Sequence, residues 1–441
     1  MLVQTINPYT SEKLNEYTAE NIVSIRKRIE SLRSRQREWK KDIDLRINYL
    51  KNTVRRNLAR LEHELSVSMT SEMGKPINQS VAEIRKCITM IDYMAENAPA
   101  FLEPETVGTE AMKSYVRFDP IGVVELIMPW NYPLWQVMRA AIPALIAGNA
   151  ILLKHSSIVS GTSVLIHEIM ESPAFVSVIA SGPDALDAID FVDGVSFTGS
   201  SSVGAMICER AGRAIKKSVL ELGGSDPFIV LESADAEKTA KQATLGRLQN
   251  AGQSCIASKR FIVHEHIYDD FRSALEREFS SVIAGDPMDV KTFLGPLSSS
   301  QQTEIVKKQV GELRTIGTVH ETGDVCGNLF PPVIAEVERP YSDEIFGPVA
   351  VLKKFSGDDE AVHIANETPF GLGCSIWGDP DEAERLAPSI EAGMVFINRI
   401  VASDPRVPFG GVKKSGFGRE LSRYGLLEFT NIKTTWIEKA P

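Results

Sequence analysis

The sequence contains few cysteines, and their spacing excludes a zinc ribbon and a disulfide framework. Only five cysteines occur in 441 residues, and no two of them form the CxxC pair that zinc ribbons use. They are Cys87, Cys208, Cys255, Cys326 and Cys374. An odd number of widely separated cysteines indicates reduced thiols. We therefore expect a cytoplasmic protein.

Net positive charge and long hydrophobic runs are also missing. The formal net charge of -10 disfavours nucleic acid and anionic membrane surfaces as partners. The most apolar window, residues 140–153, contains Pro143 and Gly148 and is shorter than the roughly 20 residues that a bilayer requires. The N-terminus lacks the basic flank and apolar run of a secretory signal. We expect a small-molecule substrate, with no nucleic acid and no membrane as partner.

The apolar runs that are present are short and alternate with helical stretches. Residues 122–130 (GVVELIMPW) and 149–157 (NAILLKHSS) belong to a first series, and a second series follows Cys255. Such runs are typical of parallel strands buried on both faces. The pattern predicts a doubly wound α/β domain followed by a second α/β domain. The alternating C-terminal stretch predicts a terminal strand that needs a partner, such as another subunit.

Cys255 lies among small and polar residues in the stretch GQSCIASK. Gly252, Ser254 and Ala257 leave the backbone close and the thiol accessible, as a nucleophile requires. The alternative is a small buried hydrophobic residue. A thiol nucleophile also needs a proton acceptor and a donor that stabilises the oxyanion formed by attack on a carbonyl.

Two other stretches supply these groups. Glu221 precedes Gly223 and Gly224 at the end of a predicted strand and is a candidate general base. Asn131 lies in the proline-bounded turn MPWNYPLW, and its amide is a candidate oxyanion donor. A surface carboxylate and an ordinary turn residue are the alternatives.

A nucleotide site is indicated without a GxGxxG motif. The stretch VSFTGSSSVG predicts a strand, a turn at Gly199 and a helix whose N-terminal amides can hold a phosphate. Lys154 ends another predicted strand, where it could bond ribose hydroxyls or simply be solvated.

These stretches, in this order, resemble the aldehyde dehydrogenase superfamily over nearly the whole chain. The C-terminal part is most similar to the shorter bacterial and archaeal succinate-semialdehyde dehydrogenases, with lactaldehyde and glyceraldehyde dehydrogenases as alternatives. The matching motifs are EMGKPI at residue 72, PWNYPLW at 129, LLKHSS at 152, FTGS at 197, LELGG at 220, GQSC at 252, EIFGPV at 344 and PFGGVKKSGFGRE at 408.

The resemblance implies an aldehyde dehydrogenase-like α/β fold with three parts. A Rossmann-type cofactor domain is expected over residues 1–110 and 127–221, and an α/β catalytic domain over residues 222–405. A small β oligomerisation arm is expected over residues 111–126 and 422–441. The protein should then be a homo-oligomer, either a dimer or a tetramer.

The resemblance also implies NAD(P)-dependent oxidation of an aldehyde to a carboxylic acid. Cys255 would form a thiohemiacetal and then a thioester, Asn131 would stabilise the oxyanion, and Glu221 would activate the hydrolytic water. No metal is expected, because His264 and His266 merely alternate along a predicted strand. The cofactor residues would be Trp130, Lys154, Ser156, Ser157, Gly199, Ser200, Glu344 and Phe346.

Cofactor and substrate preferences rest on single positions. Ser157 stands where NAD-preferring relatives often carry a glutamate, so we expect NADP, with NAD as the alternative. Arg139 matches a carboxylate-binding arginine of succinate-semialdehyde dehydrogenases, or it is a structural ion-pair residue. The family's second arginine falls at Gln249. The remaining substrate candidates are Ser403 and Arg406.

Two other classes compete on the same fold. Aldehyde dehydrogenases that acylate coenzyme A and reductases of acyl phosphates also use the cysteine, but they generally lack a glutamate matching Glu221, so its presence favours hydrolysis. A non-catalytic structural or binding protein would be indicated by loss of the thiol or of the Asn131 amide, and both are present.

Overall fold

Two parallel sheets organise the chain, and the short apolar runs of the sequence form their strands. The computed structural model describes residues 1–440, so Pro441, the last residue of the predicted arm, lies outside the described residues. The strands are β1 Leu2–Ile6, β2 Lys13–Thr18, β3 Glu105–Thr106, β4 Lys113–Pro120, β5 Val123–Met128, β6 Ala150–His155, β7 Phe175–Val178, β8 Gly194–Thr198, β9 Lys217–Glu221, β10 Pro227–Val230, β11 Arg260–His264, β12 Gly317–Glu321, β13 Val333–Val337, β14 Val349–Phe355, β15 Phe370–Gly371, β16 Gly373–Trp377, β17 Met394–Ile397, β18 Val412–Lys413, β19 Gly416–Phe417 and β20 Thr430–Ile437.

The α-helices pack on these sheets and on each other. They are α1 Ile22–Trp39, α2 Ile43–Tyr49, α3 Arg55–Arg60, α4 Glu62–Met73, α5 Ile77–Leu102, α6 Trp135–Ala147, α7 Ser160–Met170, α8 Gly182–Ala188, α9 Ser201–Arg213, α10 Ala236–Leu248, α11 Tyr268–Ser280, α12 Ser300–Leu313, α13 Asp358–Asn366, α14 Pro380–Leu386 and α15 Ser422–Glu428. Within residues 1–440 we find no helix with both the length and the hydropathy needed to cross a bilayer.

The six-stranded sheet has the strand order β19-β9-β8-β5-β6-β7. Strands β5 to β9 run parallel, and β19 pairs antiparallel with β9. The chain proceeds outward from β5 through β6 and β7 and then returns to β8 on the other side of β5. The strand order therefore reverses between β5 and β8, which is the position where open α/β sheets bind ligands.

The seven-stranded sheet has the order β12-β13-β14-β11-β10-β16-β17 and is parallel except for β12. Strand β10 and its neighbours are buried on both faces, as their continuous apolar sequences predict. The two sheets confirm the predicted fold class. Strand β5 begins at Val123, inside the range 111–126, and β19, which lies in none of the predicted ranges, joins the six-stranded sheet.

Two strands from the predicted arm ranges, β4 and β20, lie in a three-stranded antiparallel sheet with the order β20-β4-β3. The terminal strand is present as predicted, and it pairs with β4 of the same chain along one edge. Strand β20 is an edge strand, and it exposes Ile432 (63%) and Trp436 (45%).

Helices α5 and α6 cross the interior and are joined by a carboxylate. Every residue of α6 is buried, as expected for a helix that is apolar on nearly all sides. Glu83 of α5 accepts hydrogen bonds from the amides of Leu134 and Trp135, at 2.9 and 2.8 Å, at the start of α6. The unpaired amides of a helix start are thereby satisfied, and the two helices are held in register.

Candidate active site

A cavity of about 240 Å³ lies at the carboxyl ends of β5 and β8, and we call it the strand-end cavity. It occupies the position where the six-stranded sheet reverses its strand order. Five of the predicted cofactor residues come together here: Trp130, Gly199, Ser200, Glu344 and Phe346. Its other lining residues are Pro129, Asn131, Gln136, Thr198, Leu222, Gly223, Cys255 and Gln302.

Two glycines allow Glu344 to approach the backbone of this cavity. A Cβ on Gly223 would lie 2.4 Å from Oε2 of Glu344. The amide of Gly224 donates a hydrogen bond to Oε1 of Glu344 at 3.0 Å. A Cβ on Gly224 would in turn lie 2.7 Å from the carbonyl oxygen of Cys255. A side chain at either glycine would therefore displace Glu344 or the loop that carries the thiol.

An aromatic wall and a helix terminus complete the strand-end cavity. The rings of Trp130 and Phe346 meet edge to face, with their centroids 5.8 Å apart. Ser200 caps α9 by accepting a hydrogen bond from the amide of Val203 at 3.4 Å. The positive end of the α9 dipole therefore lies beside Gly199, where it favours an anionic group such as a phosphate.

Lys154, Ser156 and Ser157 lie further along the same sheet edge and do not line this cavity. Lys154 is half-buried near the end of β6, directly beside Ile127 of β5. Burial lowers the pKa of its ammonium group, and the nearby Glu125 carboxylate opposes that change. Ser157 is exposed at the start of a short helical turn.

The half-buried Cys255 is held by a loop that is anchored on Lys259. The Lys259 ammonium, which is 1% exposed, donates to the carbonyl oxygens of Ser254 and Cys255, each at 2.8 Å. The preceding Asn250 and Ala251 have φ angles of 54° and 53°, in the left-handed region that non-glycine residues rarely adopt. Such strain persists only where surrounding contacts impose it, and it is common at functional sites.

Burial raises the pKa of the Cys255 thiol to about 12, although Arg139 and Lys259 act in the opposite direction. The thiol is therefore protonated near neutral pH. Nucleophilic attack must then be coupled to removal of this proton.

Asn131 is fixed by hydrogen bonds on both sides of its amide. Its Nδ2 donates to the carbonyl of Gln253 at 3.1 Å, and its Oδ1 accepts from Gln136 at 3.0 Å. An amide nitrogen carries two hydrogens, so the contact with Gln253 uses only one of them. Because Asn131 and Cys255 line the same cavity, the geometry suits stabilisation of an oxyanion formed next to the thiol.

Glu221 ends β9 and lines neither of the two cavities that Cys255 contacts. It is 2% exposed, and neither carboxylate oxygen accepts a hydrogen bond within residues 1–440. Burial raises its pKa and neighbouring Glu420 raises it further, whereas Arg139 and Arg419 lower it. Space beside it is provided by Gly410, where a Cβ would lie 2.8 Å from Oε1 of Glu221.

A second cavity, of about 170 Å³, lies on the other side of the thiol, and we call it the helix-face cavity. Its walls are one face of α5, one face of α6 and the loop around residue 403. Three of the predicted substrate residues line it: Arg139, Gln249 and Ser403. Cys255 lines this cavity as well as the strand-end cavity, so a ligand in either one can reach the thiol.

Arg406 lies outside the helix-face cavity. Its guanidinium binds Asp404 through two contacts of 2.6 and 2.8 Å, and its side chain is 69% exposed. A local pair of exposed charges explains this orientation better than a substrate contact does.

Lys86, Lys259 and Glu420 were not identified from the sequence. Lys86 lines the helix-face cavity, Lys259 holds the thiol loop, and Glu420 pairs with Arg139. A helical period could have indicated Lys86, because Gln79, Glu83 and Lys86 share one face of α5. The other two contacts join segments that are distant in sequence from their partners.

His264 and His266 come together with Glu232, a residue that the sequence analysis did not include. The three ligand atoms lie within 4.8 Å of one another, and His266 is hydrogen-bonded to Glu232 at 2.8 Å. This surface cluster lines neither cavity.

Comparison with known proteins places this site in a known family. The aldehyde dehydrogenase family model matches residues 1–435. The chain is 41% identical to succinate-semialdehyde dehydrogenase 1 (NADP⁺) of Mycobacterium tuberculosis, covering 99% of this chain and 100% of that protein. It is 40% identical to the succinate-semialdehyde dehydrogenase (NADP⁺) of Deinococcus radiodurans, with coverage of 97% and 93%. The crystal structure of the Streptococcus pyogenes succinic semialdehyde dehydrogenase in complex with NADP⁺ is similar, with a TM-score of 0.96, 35% identity and coverage of 99% and 100%.

Proposed function

The chain belongs to the aldehyde dehydrogenase family, and we propose that it oxidises succinate semialdehyde to succinate with NADP⁺ as the preferred oxidant. One observation carries this proposal: Cys255 lines both cavities, so cofactor and aldehyde can reach the thiol from opposite sides. The protein is an NAD(P)-dependent aldehyde dehydrogenase. The relatives reported above support the choice of substrate and of NADP.

The strand-end cavity fits a nicotinamide dinucleotide. Its position at the strand-order reversal, the capped start of α9 and the glycine at 223 suit a pyrophosphate and a closely approaching sugar. Trp130 and Phe346 would hold the nicotinamide, and Glu344 would bind ribose hydroxyls. Lys154, Ser156 and Ser157 would contact the adenosine ribose. When bound, the nicotinamide accepts the hydride released from the aldehyde carbon.

Cys255 is the proposed nucleophile. The thiol proton passes to water while the sulfur adds to the aldehyde carbon, which gives the oxyanion of a thiohemiacetal. The Asn131 amide and the Cys255 amide stabilise the oxyanion. Loss of hydride from that carbon converts the thiohemiacetal to a thioester.

Glu221 is the proposed base for hydrolysis of the thioester. Burial raises the pKa of this carboxyl group, so its carboxylate is a stronger base than a solvent-exposed one. Because the carboxylate lines neither cavity, the side chain must rotate toward Cys255 before it can act. Water then adds to the thioester carbonyl, Glu221 takes its proton, and the thiol leaves to release the acid.

Steady-state kinetics against a panel of aldehydes, each with NADP⁺ and with NAD⁺, test this function. We expect the highest kcat/KM for succinate semialdehyde with NADP⁺, followed by lactaldehyde, glyceraldehyde and butanal. A preference for an uncharged aldehyde would contradict the proposed substrate. A preference for NAD⁺ would contradict the proposed cofactor.

The arm and the thiols support two further proposals. We infer a homo-oligomer, either a dimer or a tetramer, because edge strand β20 exposes Ile432 and Trp436. We place the protein in the cytoplasm, because all five cysteines are free thiols. The domain ranges 1–110 with 127–221, 222–405, and 111–126 with 422–441 stay proposals. Light scattering of the purified protein measures the assembly directly.

A further inference from the structure

The helix-face cavity contains a lysine, Lys86, for which the reaction above has no role. Lys86 lies on α5, on the same face as Gln79, Ala82 and Glu83, and all four line the cavity. Its Nζ donates a hydrogen bond to Oγ of Ser403 at 2.6 Å. The same nitrogen lies 4.2 Å from the centroid of the Trp135 ring. The ammonium group is therefore held in place at the cavity wall.

Lys86 has no carboxylate partner. Within residues 1–440 it forms no ion pair, and its two polar contacts are a neutral hydroxyl and an aromatic ring. The Glu83 carboxylate is already bound to Lys75 and to two backbone amides. The Asp404 carboxylate is already bound to Arg406. An unpaired cation facing a cavity is a receptor for an anion.

Arg139 differs from Lys86 although both line the same cavity. Its guanidinium is paired with Glu420, and the two side chains are 3% and 4% exposed. It also lies 4.5 Å from the ring centroid of Phe409 and contacts the hydroxyl of Thr198 at 3.4 Å. The contact with Glu420 uses Nε, so a terminal nitrogen of the guanidinium can bind a ligand in the cavity without breaking the pair.

We propose that Lys86, oriented by Ser403, is a second receptor for the distal carboxylate of the substrate, beside Arg139 in the same cavity. This inference rests on the proposed oxidation of an acidic aldehyde. The aldehyde end of a short substrate contacts Cys255 while its carboxylate binds Lys86, since both residues line one cavity.

The first test compares succinate semialdehyde with butanal, which has the same chain length and no carboxylate. Lys86→Met keeps the aliphatic stem and removes the charge. A hydrogen bond to a charged group is worth enough that we expect kcat/KM for succinate semialdehyde to fall about 10- to 100-fold. Butanal oxidation should stay within about twofold, which also shows that the variant is folded. Lys86→Arg should restore part of the preference.

Two further variants serve as comparisons. Arg85→Met removes a charge from the adjacent residue of α5, which is exposed and pairs with Glu62 away from the cavity. It should change kcat/KM for neither succinate semialdehyde nor butanal. Arg139→Met removes the other cation of the cavity and should also lower kcat/KM for succinate semialdehyde more than kcat/KM for butanal. If Arg139→Met abolishes the preference and Lys86→Met does not, the assignment is wrong.

Inhibition of butanal oxidation by succinate separates this inference from the proposed function. Succinate carries the carboxylate whether or not its semialdehyde is the physiological substrate. We expect Lys86→Met to raise its inhibition constant about tenfold or more. An unchanged constant overturns the role of Lys86. If the wild-type enzyme prefers butanal, the proposed substrate is wrong. If Lys86→Met nevertheless weakens inhibition by succinate, Lys86 still binds the anion.

The pH dependence gives an independent readout. Burial lowers the pKa of Lys86 to about 8, and the groups around it are Cys87, Arg139, Glu83 and Asp404. Below pH 8 the ammonium is charged and binds the carboxylate, and above pH 8 it becomes neutral. KM for succinate semialdehyde should therefore rise above pH 8 relative to KM for butanal. In Lys86→Met this relative rise should disappear, and its persistence would contradict the assignment.

Discussion

The two cavities that meet at Cys255 are built from different parts of the fold. The strand-end cavity consists of loops that directly follow β5 and β8, with glycines where groups approach closely. The helix-face cavity consists of side chains that project from α5, α6 and the loop around residue 403. The first includes two glycines in its lining, Gly199 and Gly223, whereas within residues 1–440 the lining of the second contains no glycine.

The strand-end cavity would therefore serve the cofactor, which the oxidation of every aldehyde requires, and the helix-face cavity would select the aldehyde. Positions in the strand-end cavity are constrained by main-chain geometry, as at Gly223, where even a methyl group would contact Glu344 at 2.4 Å. Positions on a helix face can exchange side chains without changing the backbone. Variants of the two cavities should therefore affect cofactor and aldehyde separately.

The thiol belongs to both cavities, so its removal should have the largest effect. Cys255→Ala should lower aldehyde oxidation by about 10³-fold or more, because no other group can form the covalent intermediate. NADP⁺ binding, measured by calorimetry, should be unchanged. The matched control is Cys326→Ala, which removes an exposed thiol and should retain full activity. Turnover by Cys255→Ala would refute the covalent mechanism.

Replacement of Glu221, the proposed hydrolytic base, should slow only the steps that follow reduction of the cofactor. Glu221→Gln should lower steady-state turnover about 100-fold, which is within the usual contribution of a general base. Stopped-flow absorbance should still show an initial burst of NADPH, since thioester formation precedes hydrolysis. Loss of the burst would instead assign Glu221 to the first step.

A change confined to the strand-end cavity should affect the cofactor alone. Gly223→Ala forces Glu344 to move, so we expect KM for NADP⁺ to rise about tenfold, the loss of roughly one hydrogen bond. KM for the aldehyde should stay the same. Gly212→Ala is the matched control, because a Cβ at that helical position meets nothing within 4 Å. Equal changes in both KM values would contradict the separation of the two cavities.

The smallest effect is expected at the rim of the cofactor region. Ser157 is exposed, so a new charge there is partly screened by solvent. Ser157→Glu should repel a 2′-phosphate and lower the ratio of kcat/KM for NADP⁺ to that for NAD⁺ about five- to tenfold. Ser280→Glu places the same charge on a distant exposed position and should leave the ratio unchanged. An unchanged ratio in Ser157→Glu would refute the role of this position.

The fold follows closely from local sequence patterns. Short apolar runs predict the buried parallel strands because strands covered on both faces need no polar side. The order of the motifs predicts the family and the enzyme class, and both are confirmed. Strand β20 pairs with β4 of the same chain along one edge, and pairing of its other edge with another subunit stays a prediction, because an alternating strand shows that an edge must be paired without showing by which strand.

The candidate site also contains residues that the sequence identifies and residues that only the structure identifies. Cys255 and Asn131 could be selected from the sequence because each lies among glycine, proline or other small residues, whereas Phe346 was identified only through the family resemblance. All three line the strand-end cavity. Their catalytic roles stay predictions. For Arg139, sequence left open carboxylate binding and a structural ion pair, and the structure pairs it with Glu420.

Local spacing specifies which residues share an element and where each strand ends, because these depend on neighbours within a few positions. It does not specify which helix faces meet. Lys86 reaches Ser403 across 317 residues, and Arg139 reaches Glu420 from another part of the chain. Such contacts arise only when the two sheets and the helices α5 and α6 pack together, since side-chain burial and charge pairing are properties of the assembled core.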